Sequence, residues 1–395
     1  MWRWKSMSYT KLPVLRHGYM ARHPHLIPDE AIVVRNSVVR TMMMSNNVQA
    51  LVIFSDAIHN APGCYLTNYP CYGLGRESVT VLGLNEGPFL FTTEPLRNLP
   101  KVDRFTTCPV EKVNPASKFI ADGCAKAKEL AGEGGAIGLV GTSAMPVRRS
   151  GAVKKNLEGR SVVDVTAEFE KSISSKDSTS LKCIGAALKR ARMGFDTLRE
   201  KAQTGADVAR DSTQLAAYVD YVLRREGCED TNILISIAGS PSSRVGQRVG
   251  YPDGSNLHAG DIVMAFVGAQ YARHWGVVAE VFKLGPMTDK EVEALSALES
   301  LKTTLPSKVK AGMTLAQVRV AAESVAKKIG VTLVSDVPAA EGIGFDMDEY
   351  PSKETDKVEE DTVLLVSLCS EFGKSVGTMM TSGMLLCGAK DGRWL

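Results

Sequence analysis

The sequence predicts a mixed α/β (α+β) protein with two domains. A length of 395 residues exceeds the usual size of one domain, and a hydrophobic share of 44% is ordinary for a globular chain. Apolar strand-like runs alternate with helical patterns in the first part, which is typical of an α/β domain. In the second part, residues 261–282 form two runs rich in Val, Ile and Phe, joined by a short turn at Ala272 and Arg273. These runs predict a β-hairpin.

The N-terminal part begins with an irregular arm, residues 1–30, which is rich in Pro, His and Arg. Its three clustered histidines leave a metal site open as an alternative, but no Cys or Asp cluster accompanies them. Acidic residues in the first turn, Asp29 and Glu30, favour a helix over 28–47. An apolar segment, 64–69, follows after a loop. The remaining predicted elements are strands over 48–54, 78–84, 88–93 and 135–141 and a helix over 115–131.

The run 162–165 and the segment 172–180 form a polar junction between this part and the next, and we predict domains at 1–171 and 172–395. Apolar residues at three- and four-residue spacing then predict two helices, 180–202 and 214–226. The other predicted elements of the second domain are the hairpin, strands over 233–238, 362–369 and 377–386, a helix over 289–305 and a helix entered at Gly312-Met313-Thr314.

Composition excludes some functions. The net charge is +3 and the basic residues form no stripe interleaved with aromatics, so nucleic acid is not an expected partner. No apolar run approaches the ~20 residues of a membrane span, and the N-terminus lacks the apolar core of a signal peptide. Eight cysteines without paired spacing indicate free thiols in a reducing compartment. We therefore expect a cytoplasmic protein.

Three motifs carry a resemblance to a known family. They are the hairpin 261–282, the Gly312-Met313-Thr314 entry to a helix, and the stretch 341–351, which contains Gly342-Ile343-Gly344 and Glu349-Tyr350-Pro351. Together they resemble the creatinase, aminopeptidase P and prolidase family. The resemblance implies a creatinase-like N-terminal domain, a pita-bread domain with a curved antiparallel sheet covered by helices, and a homodimer.

The resemblance also assigns metal positions. Peptidases of this family bind two metal ions through two aspartates, one histidine and two glutamates, a donor set that suits transition metals. The matching positions here are Phe266, Val277 and Glu341 and, each within one or two residues, Ser367 and Thr381. Two further family histidines fall at Val249 and Asp348. One carboxylate cannot hold two metal ions, so we expect no metal and no other cofactor.

The remaining polar residues suggest a rebuilt site. The candidate catalytic residues are Glu341, Glu349, Asp348 and Glu280; the candidate substrate-binding residues are Arg248, Arg244, Tyr251, His274 and Phe266. A carboxylate beside Phe266 and Val277 loses hydration, which raises its pKa and suits a general acid or base. Simpler explanations compete: Glu280 can pair with an arginine and His274 can pack on its neighbours. Glu341 stands out because glycines flank it at a buried position.

These observations lead to one main hypothesis and two alternatives. The main hypothesis is a metal-independent, creatinase-like hydrolase or lyase that acts on a carbon–nitrogen bond of a small molecule. The first alternative is a catalytically inactive pseudo-peptidase that acts as a binding protein. The second is a metallopeptidase of the Xaa-Pro aminopeptidase or prolidase type with relocated ligands.

Overall fold

The computed structural model describes residues 22–71, 76–204, 210–237, 249–334, 339–373 and 376–395. The helices in this part of the chain are α1 (Asp29–Ser45), α2 (Ala61–Thr67), α3 (Leu99–Phe105), α4 (Phe119–Ala131), α5 (Val147–Asn156), α6 (Thr166–Ser172), α7 (Ser178–Thr204), α8 (Ser212–Arg225), α9 (Asp289–Thr304) and α10 (Leu315–Lys328). The strands are β1 (Val48–Asp56), β2 (Glu77–Gly83), β3 (Phe89–Thr92), β4 (Val113–Pro115), β5 (Ala136–Val140), β6 (Val162–Asp164), β7 (Asp230–Ile237), β8 (Ile262–Tyr271), β9 (His274–Lys283), β10 (Ala340–Gly342), β11 (Val363–Glu371), β12 (Thr378–Cys387) and β13 (Gly392–Trp394).

The first sheet has the strand order β4-β3-β2-β1-β5-β6, and its central strand β1 is almost entirely buried. β1 pairs with β2 in antiparallel and with β5 in parallel orientation. Phe119 and Ala127 of α4 pack on one side of the sheet, while Val39 of α1 and Phe169 of α6 pack on the other. This is the three-layer arrangement expected when helices alternate with strands, and it confirms the predicted α/β architecture.

The second sheet has the order β10-β11-β12-β9-β8-β7, with β13 added to β12, and its pairs are antiparallel. β8 and β9 are paired along their whole length, and so are β11 and β12. One half of the sheet ends at β9 and the other at β12, and these two strands lie side by side. A single residue pair, Ala279 with Ser382, joins them. This junction lies at the centre of the face described below.

The turn of the β8–β9 hairpin lies at Ala272 and Arg273, as predicted. Both residues have positive φ, 49° and 67°, as a two-residue turn between twisted strands requires. Such a backbone is unfavourable for residues with a Cβ. Buried contacts stabilise it here: Arg273 forms an ion pair with Glu229, and the Arg273 N–H donates to the Glu229 carboxylate at 3.0 Å.

Helix α7 packs against the back of this hairpin through a glycine contact. A Cβ on Gly276 would lie 2.1 Å from the backbone nitrogen of Leu188. Glycine is therefore required there, because helix and strand backbones touch. The contact fixes α7 to the face of the sheet that contains Val278 and Phe282, which pack with Phe195 of the helix.

Several short elements were not predicted. The segment 64–69 lies in and just after helix α2, where Pro62 occupies the first turn. The run 162–165, assigned to the junction, contributes the exposed edge strand β6. Helices α3, α5 and α6 and strands β4 and β13 also lack a prediction, because they are too short to show a clear period. Within the described ranges, no helix has the length and apolar character needed to span a membrane.

The junction between the two sheets is fixed by two adjacent residues. Lys176, of which 2% of the side chain is exposed, donates to Glu349 at 2.7 Å. Asp177 accepts from buried Arg35 of α1 at 2.8 Å. One ion pair thus links the junction to the loop after β10 and the other links it to the first domain.

Candidate functional site

The antiparallel register brings the family-matched positions onto one face of the second sheet. Phe266 lies opposite Ala279, Ala279 opposite Ser382, and Ser382 opposite Ser367. Directly paired residues share a face, and so do residues two apart on one strand. The residues that this rule places together, called the inner face, are Met264, Phe266, Val277, Ala279, Glu341, Leu365, Ser367, Cys369, Met380, Ser382 and Met384. The opposite side, called the outer face, carries the helices.

Most of the inner face is apolar. Phe266 is half-buried and packs with two groups of residues, one around Met264 and Met380 and the other around Val277 and Leu365. Val249, at the position matched to a family histidine, packs with the first group. The face therefore offers dispersion contacts and little compensation for a charge.

Glu341 is the ionisable residue of the inner face. It lies on β10 opposite Leu365, and the chain returns beside it, since Glu349 N donates to Gly342 O at 3.0 Å. A Cβ on Gly342 would lie 2.5 Å from Tyr350 O, so glycine permits this close return. Burial raises the pKa of Glu341 to about 7, and the negative charge of Asp348 adds to the shift. Glu341 can therefore exchange a proton near neutral pH.

Ser382 was missed by the sequence analysis. The motif match assigned the second glutamate position to Thr381, but the register places Ser382 in the row with Phe266 and Ser367, and Thr381 on the outer face. Ser382 is 3% exposed, and its Oγ has no hydrogen-bond partner within the described part of the chain. A buried hydroxyl without a protein partner is free to bond to a water molecule or a ligand atom.

Glu349 and Asp348 occupy different environments. One Glu349 oxygen accepts from Lys176 and the other accepts from the Asp346 N–H at 2.9 Å, so both oxygens are engaged in holding the loop. Asp348 is exposed and, with Glu170, lines a cavity of about 200 Å³ between the two domains. Burial and the neighbouring Glu349 raise the pKa of Asp346, in the same cavity, to about 8. Of these carboxylates, Asp348 is the one that acts electrostatically on Glu341.

The prediction that Glu280 shares a pocket with Glu341 needs correction. Glu280 pairs with Ala265, whereas its neighbour Ala279 pairs with Phe266 on the inner face. Because adjacent residues of a strand point to opposite faces, the Glu280 side chain lies on the outer face. There it accepts from Arg192 of α7 at 2.6 Å. Burial opposes its ionisation, but the Arg192 hydrogen bond and the positive charges of Arg192, Lys302 and Arg199 together outweigh burial and lower the pKa of Glu280. Glu280, Thr381 and α9 residues line a separate cavity of about 340 Å³.

His274 also lies apart from the inner face. It is 0% exposed, and its Nδ1 lies 2.7 Å from Ala272 O. Its ring packs on Phe345 with 4.2 Å between centroids, and burial lowers its pKa to about 3. A buried, neutral imidazole cannot contact a substrate from this position, so the predicted substrate-binding role of His274 is corrected to a packing role.

The other predicted substrate-binding residues have mixed outcomes. Phe266 lies on the inner face, as described above. Tyr251 is 43% exposed and follows Gly250, which donates from its backbone to Ser236 Oγ at 2.9 Å. Arg244 and Arg248 lie outside the described residues. The structure thus brings Glu341 and Phe266 to one face and leaves Glu280 and His274 off it.

The fold defines the class of protein: a mixed α/β chain with two sheets, similar in fold to pita-bread proteins. The sequence profile of metallopeptidase family M24 matches residues 182–382, slightly more than half of the chain. The chain therefore belongs to family M24. No curated protein matches its sequence closely enough to count as a relative.

Solved structures show the same fold over nearly the whole chain. The Xaa-Pro dipeptidase from Bacillus anthracis has a TM-score of 0.74 at 13% identity and covers 92% of this chain and 97% of its own. The prolidase from Pyrococcus horikoshii has 0.72 at 15%, covering 91% and 97%. The X-Pro aminopeptidase from Thermotoga maritima has 0.71 at 16%, covering 91% and 96%. Identities this low show the shared fold alone.

The described side chains do not fit the two metal ions that the family implies. Of the inner-face residues at the matched positions, one is a carboxylate, Glu341, and the others are Phe266, Val277, Ser367 and Ser382. Across the described ranges, no three His, Cys, Asp or Glu side chains are grouped so as to hold a metal ion. Phenyl and isopropyl groups supply no lone pair to a cation. We therefore derive no catalytic step through a metal.

Proposed function

We propose that this M24 member is a metal-independent hydrolase that cleaves the carbon–nitrogen bond of a small amide on the inner face, with Glu341 as the acid and base. The observation that carries the proposal is the position of Glu341, a carboxyl with a pKa of about 7 on a mostly apolar face. Such a pKa is close to the optimum for proton transfer at neutral pH.

In the proposed reaction, ionised Glu341 accepts a proton from a water molecule, and the water oxygen bonds to the amide carbon. The carbon–nitrogen bond then breaks, and the proton on Glu341 passes to the departing nitrogen. The products are a carboxylic acid and an amine. Leu365, which pairs with Glu341 in the sheet, supports this role because an apolar neighbour limits the hydration of the carboxyl.

Two other functions have support. Membership of family M24 and the Xaa-Pro peptidases among the structural neighbours favour a peptide-type substrate over a creatine-like one, and by themselves they favour a metallopeptidase. The packing of Phe266 with Val249 favours a binding protein without turnover, since apolar side chains fill the space of the polar family residues.

One set of measurements separates these functions. The purified protein is assayed for bound transition metal and for amine release from small amides and Xaa-Pro dipeptides, with and without a chelator. We expect hydrolysis that survives the chelator and falls at least about 100-fold in Glu341→Gln, while Glu280→Gln retains it. Two bound metal ions with chelator-sensitive hydrolysis would instead identify a metallopeptidase. Ligand binding without amine release would identify a binding protein.

A cytoplasmic location, a homodimer and a domain boundary at 171/172 stay predictions. The cysteine pattern supports the first, since all eight cysteines are buried free thiols. The family resemblance supports the second.

A further inference from the structure

One side of helix α1 is exposed and carries no charge. The other side packs in the core of the first domain through Val39 and Met43. An exposed helix surface usually carries charged residues. The exposed residues that follow the first turn of this helix, called the α1 face, are instead all uncharged: Val33, Val34, Ser37, Val38, Thr41, Met44 and Ser45.

The α1 face exposes large apolar side chains as a continuous strip. Val33, Val34 and Met44 are each more than half exposed, and Val38 is 38% exposed. Residues three and four apart on a helix are neighbours, so Val34 lies beside Val38 and the strip continues through Thr41 to Met44. A continuous apolar surface of this kind marks a contact with another molecule or with another segment of the chain.

The α1 face is small for an interface between two proteins. It has seven residues, whereas a stable interface usually uses about 20 to 30 residues a side. A segment of the same chain needs less contact area, because its tether gives it an effective concentration of about a millimolar or more. A cover from the same chain is therefore favoured over a second copy.

The segment that precedes α1 has a suitable composition for this cover. Residues 1–21 lie outside the described part of the chain, and their sequence has ten large apolar or aromatic residues, four basic residues and no acidic residue. Two of the aromatic residues are Trp2 and Trp4. Fully extended, 21 residues span about 70 Å, whereas the 17 residues of α1 span about 25 Å. The segment is thus long enough to reach every residue of the α1 face.

The described chain begins beside the start of this helix. Arg22 forms an ion pair with Asp29, which lies in the first turn of α1, so the segment 1–21 is tethered at that end. Asp29 and Glu30 are both exposed there and supply negative charge. This charge attracts the basic residues of the segment and complements its lack of acidic residues.

We propose that residues 1–21 fold back along α1 and cover the α1 face of their own chain. Apolar and aromatic side chains of the segment pack on Val33, Val34, Val38 and Met44, and its basic residues lie toward the acidic start of the helix. The inference does not depend on the reaction at Glu341, and its test involves no turnover.

Trypsin measures the cover directly, because it cuts after Lys11 and Arg16 of the segment. Cleavage rates at these two sites are followed by mass spectrometry in the full chain and in a synthetic peptide of residues 1–21. We expect cleavage in the chain to be at least about tenfold slower than in the peptide, since only the uncovered population is cut. Val34→Asp, which places a charge in the contact, should bring the rate to within about twofold of the peptide's.

Val320→Asp is the matched control, because Val320 is a similarly exposed valine on helix α10, and this variant should keep the protection. Cleavage of the parent at the peptide's rate, protection that survives Val34→Asp, or equal acceleration by the two variants overturns the inference. Protection that is lost on dilution, together with a dimer that Val34→Asp dissociates, would assign the α1 face to a second copy and would also overturn it.

Discussion

At the scale of single residues, Glu341 is one of the groups that make stability depend on pH. Its folded pKa of about 7 lies above the ordinary value of 4.5. Below about pH 4 the carboxyl is protonated in both the folded and the unfolded chain, so it has no effect. As pH rises from about 4.5 to 7, the unfolded chain loses this proton first, and the free energy of unfolding decreases. Well above pH 7 both states are ionised, and the free energy of unfolding decreases no further through this group.

Glu341→Gln removes this penalty. We expect the variant to be more stable than the parent at pH 8 by about 1 to 3 kcal/mol, with the difference vanishing at pH 4. Urea unfolding at the two pH values measures it. Glu133→Gln, at an exposed loop position, is the control and should shift stability by less than about 0.5 kcal/mol at either pH. Equal effects of the two variants would show that Glu341 is well hydrated.

The sequence predicted some residues of this site well and others badly, for a physical reason. Glu341 and Phe266 belong to motifs with fixed spacing, so their places could be matched. The motif could not show which of Thr381 and Ser382 faces the site. Neighbouring residues of a strand point to opposite faces, so an error of one position moves a side chain to the wrong face. Glu280 was misplaced for the same reason. Lys176 gave no signal, since its partner Glu349 is distant in sequence.

At the scale of elements, a backbone contact holds α7 directly against β9. Gly276→Ala places a methyl group within 2.1 Å of the Leu188 nitrogen, so helix and strand must separate. We expect a loss of about 2 to 4 kcal/mol in the free energy of unfolding. Chemical denaturation measures the change.

Gly185 provides the control within the same helix. It is exposed, and a Cβ there would meet nothing within 4 Å. Gly185→Ala should therefore stabilise the protein by about 0.5 to 1 kcal/mol, through helix propensity. An equal loss of stability in both variants would mean that the close contact at Gly276 is not the cause of the loss there.

The long elements were predictable because their patterns run over many residues. Helix α7 and the β8–β9 hairpin were found close to their observed bounds. Helix α2 was not, because seven residues beginning at Ala61 carry too few turns to show a helical period. Its buried position depends on contacts of Cys64 and Leu66 with residues of distant elements.

At the scale of the whole molecule, the junction residues hold the loop of the site against both domains. In Lys176→Met the Glu349 carboxylate, of which 10% is exposed, loses its cationic partner. We expect a cost of about 3 to 5 kcal/mol in the free energy of unfolding. The double variant Lys176→Met with Glu349→Gln should recover part of it, because the buried charge is gone.

Lys171→Met is the control for this prediction. Lys171 pairs with Glu359, but more than a third of each side chain is exposed, and such pairs contribute about 0 to 1 kcal/mol. Urea titrations of the three variants give the comparison. If the Lys176 variant were as stable as the Lys171 variant, the ion pair between Lys176 and Glu349 would contribute no more than an exposed pair.

The single registered pair between β9 and β12 has a consequence for communication within the molecule. Ala279 and Ser382 are the place where the two hairpin-built halves of the sheet exchange hydrogen bonds. The β8–β9 and β11–β12 pairs are each held together along their whole length, so a substitution at Ala279 or Ser382 is expected to affect both of them at once.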